Sequence, residues 1–330
     1  MSEFRLITSS DEHLADLSPG FRKDDYRAAI LAKLEWQGNF AKRFEANAIL
    51  RGGDFIHVKA ANKTTMRTLA MAARIHRNYS CPTYAMAGNH DMKNNDPTTI
   101  SGQPLGVLLE SKVFNLLRDE SFESGNTKIR VVGVEYTTDI DVDGLHNLVR
   151  KKDENYTIAF VHALAAMAPD EKIQSFFHER VFDYRDLIFD GCPDCYVFGH
   201  YHKDQGVVDH LGVKFVNLGA VSRGALTFEN LERKPKISSI KINSQGISIE
   251  EHIIPHGDAA DVFDLERKKQ LDSVRHHMNE FISKLHDNSA LVSDNAIESR
   301  KKELSKFPED VQKLALELME ASEAGTSDDQ

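Results

Sequence analysis

An amide, an imidazole and a carboxylate stand side by side at Asn89, His90 and Asp91, behind Gly88 and just after the short apolar run Thr83–Ala87. They are a hard oxygen ligand, a general acid or base, and a group able to orient an imidazole. Alone, four such residues carry little weight. Their companions are Asp11-Glu12-His13, Gly53-Asp54, His162 and Gly199-His200-Tyr201-His202. Asp11 and His13, two apart, can both reach one ion from an extended turn. Asp54 follows a glycine pair, which permits a tight turn and a close backbone approach. A carboxylate there can bridge two cations, one through each oxygen. Asn89 adds a neutral carbonyl oxygen; His162, His200 and His202 add imidazoles. Seven nitrogen and oxygen ligands sharing one bridge suit two borderline divalent ions, manganese first and iron or zinc as alternatives, and suit calcium or magnesium poorly.

Two ions held about 3.5–4 Å apart do two things for phosphate esters: they make hydroxide available at neutral pH, and they clamp phosphate oxygens during in-line attack. The leaving alkoxide then needs a proton. His90, next to ligand Asn89, can point into the site without binding metal, and Asp91 is expected to fix its tautomer. Each piece has a plainer use by itself, since Asp-x-His is commonly a surface turn and a lone histidine ending an apolar strand is commonly packed core. What counts is that all five occur in order, each just after a predicted strand.

The elements that must position these residues follow from periodicity. Arg5–Ser9 reads as a buried strand, Asp24–Asn47 as a helix, Ala48–Arg51 as a strand, Thr64–Arg77 as a helix and Pro82–Ala87 as a strand. That alternation implies a parallel sheet with helices packed on it. Past a polar loop, Lys93–Gln103, further strands are expected at Lys128–Val134, Thr157–Val161, Cys195–Phe198, Gly206–Val208, Val213–Asn217, Lys236–Ile242 and Ile247–Ile254, forming a second, more antiparallel sheet. The fold expected is an α/β, four-layer α-β-β-α sandwich of two mixed sheets. Residues 1–257 form its catalytic domain. Residues 258–322 form a helical extension, with helices at Asp261–His286 and at Glu298–Met319 (interrupted at Pro308), and 323–330 a disordered tail.

The bulk properties restrict the setting. Of 330 residues, 41% are hydrophobic and 28% charged, as in an ordinary globular protein. No apolar run has the length of a membrane span, and no basic-then-apolar leader is visible, so no membrane partner is expected. Three cysteines, Cys81, Cys192 and Cys195, point to a reducing, cytoplasmic setting. Cys192-Pro-Asp-Cys195 lacks the second pair a structural zinc site needs and reads as packing. The formal charge is −10, but 17 acidic and 10 basic residues lie from Asp258 onward, leaving 34 against 31 before it. A nearly neutral body neither requires nor excludes a polyanionic substrate.

The ordered set resembles the calcineurin-like metallophosphoesterases, whose pattern is D-x-H, GD, GNH(D/E), a lone H and GHxH. The likeness spans roughly residues 3–255. It implies that Asp11, His13, Asp54 and His202 hold one metal, that Asp54, Asn89, His162 and His200 hold the other, and that His90 is the catalytic histidine. Within that superfamily Gly53-Asp-Phe-Ile-His57, the helix from Thr64 and Gly102-Gln-Pro-Leu-Gly106 are similar to the SbcD-type DNA-repair nuclease subunits. That likeness implies a strand-placing role for His57 in catalysis, and docking of an SMC-like ATPase by terminal helices, which could equally serve a homodimer. Asn217-Leu-Gly-Ala-Val-Ser-Arg223 resembles a late NPGS-x-x-R stretch, with Leu218 for proline and Ala220 for serine, and suggests a substrate phosphate contact for Arg223. The reading that follows is a DNA exo- or endonuclease, with Lys59, Lys63, Arg67, Lys93 and Arg223 as candidate strand-binding cations. A phosphatase or phosphodiesterase for small nucleotides or phosphoproteins is the alternative, and a non-catalytic scaffold a minor one.

Overall fold

The structure is a computed structural model that describes residues 3–57, 64–169, 178–287, 302–309 and 311–316. Lys59 and Lys63, and the tail expected at 323–330, lie outside the described residues. The chain divides into two units, Met1–Phe263 and Asp264–Gln330.

The first unit begins with β1 (Phe4–Ser9), α1 (Tyr26–Phe44), β2 (Ala48–Arg51), α2 (Met66–Arg77) and β3 (Thr83–Ala85). Local chemistry sets the helix ends. Asp25 caps α1 by accepting from the Ala28 N–H at 2.9 Å, and Thr65 caps α2. Next come α3 (Pro104–Glu110), β4 (Asn115–Leu116), β5 (Asp119–Ser124), β6 (Thr127–Val134), α4 (Val142–His146), β7 (Tyr156–Ala163), β8 (Ala165–Ala166), β9 (Phe182–Asp183) and β10 (Cys195–His200). The unit closes with β11 (Gly206–His210), β12 (Val213–Asn217), α5 (Phe228–Glu232), β13 (Lys236–Asn243), β14 (Gly246–Ile253) and α6 (Ala259–Val262).

Two six-stranded sheets result, ordered β14-β13-β1-β2-β3-β4 and β11-β12-β10-β7-β6-β5. Both are mixed, as expected: β1, β2, β3 and β4 run parallel with an antiparallel β13–β14 edge, and β6, β7, β10 and β12 run parallel between antiparallel edges. Strand alternation splits the core into layers. Phe4 and Leu6 of β1 meet Ala48, Leu50, Ile158, Phe160 and Val197 between the sheets. Ile7 and Ile49, one residue out of step, pack on Ala41 of α1. The outer face of the second sheet carries Tyr196, Phe198 and Phe215 against Leu145 of α4, Tyr184 and Leu187. Among the described residues that outer layer is thin: α4 has five residues, and Tyr184–Leu187 is one 3₁₀ turn.

The short elements β4, α4, β8, β9 and α5 were not expected, and three longer stretches also differ from expectation. The strand β5 reads Asp-Glu-Ser-Phe-Glu-Ser; as an edge strand it needs one apolar contact, Phe122, and is otherwise polar, so it has no hydrophobic period. The loop expected at Lys93–Gln103 contains two 3₁₀ turns and leads into α3, which starts on Pro104. The helix expected over Asp261–His286 is two helices, because Phe263 is extended. In the second unit, Asp264 accepts from the Arg267 N–H at 3.0 Å and starts α7 (Leu265–Asp287). That unit has its own apolar cluster of Phe281, Leu304, Phe307, Val311 and Ala315.

Candidate metal centre

The chemistry-bearing residues stand at the carboxyl ends of β1, β2, β3, β7 and β10, where α/β sheets gather ligands. The loops after β1 and β2 are zipped together by backbone. Asp11 N–H donates to Gly53 C=O at 3.0 Å, His13 N–H to Asp54 C=O at 2.9 Å, and Leu14 N–H to Phe55 C=O at 2.9 Å. This pairing holds side-chain-bearing residues in the left-handed region: φ is +57° at Asp11, +46° at His13, +52° at Asp54 and +83° at His200. Strain of about 1–3 kcal/mol per such residue persists where surroundings over-determine it, and here it falls on four predicted ligands. Gly53 has φ +96°, and a Cβ there would sit 2.3 Å from His162 Nδ1. A Cβ on Gly88 would sit 2.2 Å from Asp54 Oδ1, so the third loop can approach the carboxylate only as glycine.

The side chains converge in three groups; two share Asp54, and the third is His13, His57 and His90. Asp11, His13, Asp54 and His202 offer ligand atoms all within 4.8 Å of one another, as do Asp54, His162 and His200. In the first group His13 Nε2 and His202 Nε2 are 2.9 Å apart, His202 Nε2 is 3.4 Å from Asp11 Oδ1, and His13 Nε2 is 3.7 Å from Asp54 Oδ2. Atoms each about 2.1 Å from a shared ion lie about 3.0–3.5 Å apart; the two His202 spacings are close to that range, and the His13–Asp54 spacing is wider. In the second group His162 Nε2 is 3.4 Å from the same Asp54 Oδ2. The two groups therefore meet at one oxygen. Asp54 Oδ1 accepts the His90 N–H at 2.7 Å. Asn89, buried, lies on that turn between Gly88 and His90.

His162 gives the sharpest test of fit. It is fully buried, and its Nδ1–H donates to the Gly52 carbonyl at 2.7 Å. Its Nε2 is buried with no hydrogen-bond partner among the described residues. A buried imidazole held at one nitrogen, with the other aimed at a carboxylate oxygen, is the arrangement of a metal ligand. The electrostatics agree. Burial works against the charge of Asp11 and of Asp54, yet the adjoining imidazoles, His202 and His162 foremost, hold both carboxyls well below their ordinary range. Burial pushes the His13 imidazole down to about 3, leaving a lone pair. For His162 burial is outweighed by the Asp54 carboxylate, which raises it to about 9. A cation between these groups would take the place of that proton.

The residues assigned other roles fall differently. The His90 ring is half-buried, edge-on to His13 at 4.7 Å and stacked on His57 at 4.4 Å; His57 Nδ1 is 3.3 Å from His13 Nδ1. Asp91 does not orient His90. Its Oδ1 accepts from Ile56 N–H at 2.7 Å, and its Oδ2 accepts from Phe55 N–H at 3.2 Å and Gly88 N–H at 3.0 Å. It ties the second and third ligand loops together by their backbones. Arg223 is buried and its guanidinium is taken up by backbone: it donates to the Asn230 and Gly257 carbonyls at 2.9 and 2.8 Å, and lies over the Phe263 ring. The backbone around it does support the site, since Ser222 N–H donates to Asp11 C=O at 3.1 Å and Ala220 N–H to His202 C=O at 3.3 Å. Arg67 and Lys93 are exposed. Cys195 fills the inter-sheet core, and burial pushes its thiol up to about 12.

Supporting side chains escaped the sequence reading. Glu12, between the candidate ligands Asp11 and His13, is fully buried and paired with Arg51, which leads into Gly52-Gly53-Asp54. Arg51 also reaches His76 Nε2 at 2.8 Å and lies over the Phe55 ring. The only signal was position: charged residues next to ligands and inside apolar strands.

A profile of the calcineurin-like phosphoesterase family matches residues 5–204. A search of the curated proteins found no match. Similar solved structures include TT1561 of Thermus thermophilus, 14% identical, covering 76% of this chain and 99% of that one at a TM-score of 0.45. A dimetal phosphatase of Danio rerio is 13% identical, with 77% and 99% covered and a TM-score of 0.46. The calcineurin-like phosphoesterase YfkN of Bacillus subtilis is 11% identical, with 80% and 93% covered and a TM-score of 0.48. The profile runs through Asp11, Asp54, Asn89, His162 and His202 and spans more than half of the sequence, and the chain belongs to the calcineurin-like phosphoesterases.

Proposed function

We propose that this metal-dependent phosphoesterase is a phosphodiesterase acting on nucleic acid, a DNA exo- or endonuclease of the SbcD type. The observation that supports it is the meeting of two ligand groups at Asp54 Oδ2, with the stacked pair His90–His57 beside them. Asp11, His13, Asp54 and His202 would hold one ion, and Asp54, Asn89, His162 and His200 the other, manganese being the first candidate and iron or zinc the alternatives. When bound, such ions supply hydroxide at neutral pH and neutralise charge on the phosphate. His90 gives the leaving oxygen its proton; its backbone N–H, fixed to Asp54 Oδ1, ties the ring to the bridging carboxylate. His57 holds the strand beside His90, and exposed Arg67 and Lys93 attract the phosphodiester backbone. A cytoplasmic setting goes with this reading, supported by three free cysteines. Among the described residues no helix is long and apolar enough to cross a membrane.

The second unit is proposed to dock an SMC-like ATPase subunit, or a second copy of this chain, through its helices. Exposed Leu271, Ile282 and Leu314 support that. The burial of Arg223 favours a second reading for the catalytic unit, a phosphatase or phosphodiesterase for small nucleotides or phosphoproteins, because it removes one expected strand contact. The test is a manganese-dependent assay on single-stranded DNA, duplex DNA and bis(p-nitrophenyl) phosphate. Cleavage of DNA is expected; activity on a phosphomonoester alone would sink the nuclease reading.

A further inference from the structure

The His200 ring is held from outside the ligand groups. Its Nε2 donates to Glu179 Oε2 at 2.9 Å. Glu179 in turn is hydrogen-bonded by the Tyr136 phenol, and the Tyr136 ring packs 5.2 Å from His200 and 6.2 Å from His162. Tyr136 is itself buried and anchored, its backbone N–H donating to the Ala87 carbonyl one residue before Gly88. The backbone of His200 is fixed independently: its N–H lies 3.2 Å from both Asp11 oxygens, and Gly199 and His200 pair in register with His162 and Ala163. What the backbone leaves open is the rotation of the imidazole and the choice of nitrogen.

We infer that Glu179 is a positioning residue for the candidate metal centre, selecting the His200 tautomer that carries its proton on Nε2 and presents Nδ1 to the group formed with Asp54 and His162. A carboxylate on the distal nitrogen of a ligating imidazole fixes ring orientation and raises ligand basicity, and removing such a partner typically lowers metal affinity by about 10–100-fold. His162 obtains the same service from a backbone carbonyl, that of Gly52. The two histidines of this group are thus oriented by different means, and only that of His200 depends on a side chain. Glu179 is partly exposed (37%), so its replacement leaves the core untouched.

The inference rests on the two-ion reading of the site, and one titration separates the two. Metal-free wild type, Glu179→Ala and Glu179→Gln are titrated with Co(II), following the visible absorption bands. Wild type is expected to take up two equivalents. Glu179→Ala should bind one as wild type does and the other about 10–100-fold more weakly, with an altered band for that ion. Glu179→Gln keeps an acceptor for the Nε2–H and should recover most of the affinity. Two wild-type-like equivalents in Glu179→Ala would overturn the role of Glu179 alone, as would equal loss in Glu179→Gln. Fewer than two equivalents in wild type would overturn the two-ion reading and this inference with it.

Discussion

Replacing Arg51 by methionine strands the buried Glu12 carboxylate between the candidate ligands Asp11 and His13. Arg51 and Glu12 are both fully buried, and the pair joins the loop that carries Asp11 and His13 to the strand that delivers Asp54. Ser9 Oγ donates to Glu12 Oε1 at 2.7 Å, but among the described residues no other cation pairs with it. Removing one partner of a buried ion pair costs about 3–5 kcal/mol, which at about 2–4 °C per kcal/mol lowers the melting temperature by about 6–20 °C. The loss also acquires a pH dependence. Burial already raises the Glu12 pKa, with Arg51 the leading opposing influence. Without Arg51 it rises further, so the native state binds a proton over a window above the ordinary pKa of 4.5 where the unfolded state does not. The variant should therefore lose stability, relative to wild type, as pH climbs from about 4.5 towards neutrality. Urea denaturation at several pH values, read by circular dichroism, measures this. A cycle with Glu12→Gln and the double variant should show the single losses exceeding the double by about 1–3 kcal/mol. Single losses below about 1 kcal/mol that add without coupling would refute the reasoning.

Asp91→Asn replaces an oxygen that faces backbone N–H groups with an amide donor, and should cost about 2–3 kcal/mol in urea denaturation; a cost near zero would show that its three contacts do not matter. Lys33 is buried among Arg22, Arg223 and Arg233, and burial followed by those charges pushes it down to about 7. Between about pH 7 and 10 the unfolded chain binds that proton and the folded chain does not, so stability should rise with pH in this window, and Lys33→Met should flatten the rise. Its persistence unchanged in the variant would exclude Lys33 as the source. His90→Ala should lose about 10²–10⁴-fold in hydrolysis while elemental analysis still finds both ions; loss of an ion would make His90 a ligand.

The gathering of Asp11, His13, Asp54, His162, His200 and His202 was legible because ion-binding chemistry restricts residue types, and strand ends restrict where they fall. The parallel strands of the first sheet were legible because they alternate with helices; the second sheet reads as more antiparallel, yet its central strands β6, β7, β10 and β12 are parallel, because the segments that cross between them lack a clear helical period. Asp91 was misread because backbone N–H donors leave no trace in a sequence, and its neighbour His90 was the conspicuous candidate. Arg223 was misread because a resemblance in a loop cannot say whether a guanidinium faces the groove or the carbonyls behind it. Glu179 had no signal at all, since a half-exposed glutamate far from every motif is ordinary. The break at Phe263 interrupts a pattern that remains helical in period on both sides, so only tertiary packing of that ring reveals it.

Calorimetric titration of metal-free protein with Mn(II) counts the ions that Asp54 serves. Two equivalents are expected per chain in wild type, and neither at full affinity in Asp54→Ala, because both candidate ligand groups include Asp54 Oδ2. A single equivalent in wild type, or one site of undiminished affinity in Asp54→Ala, would contradict that expectation.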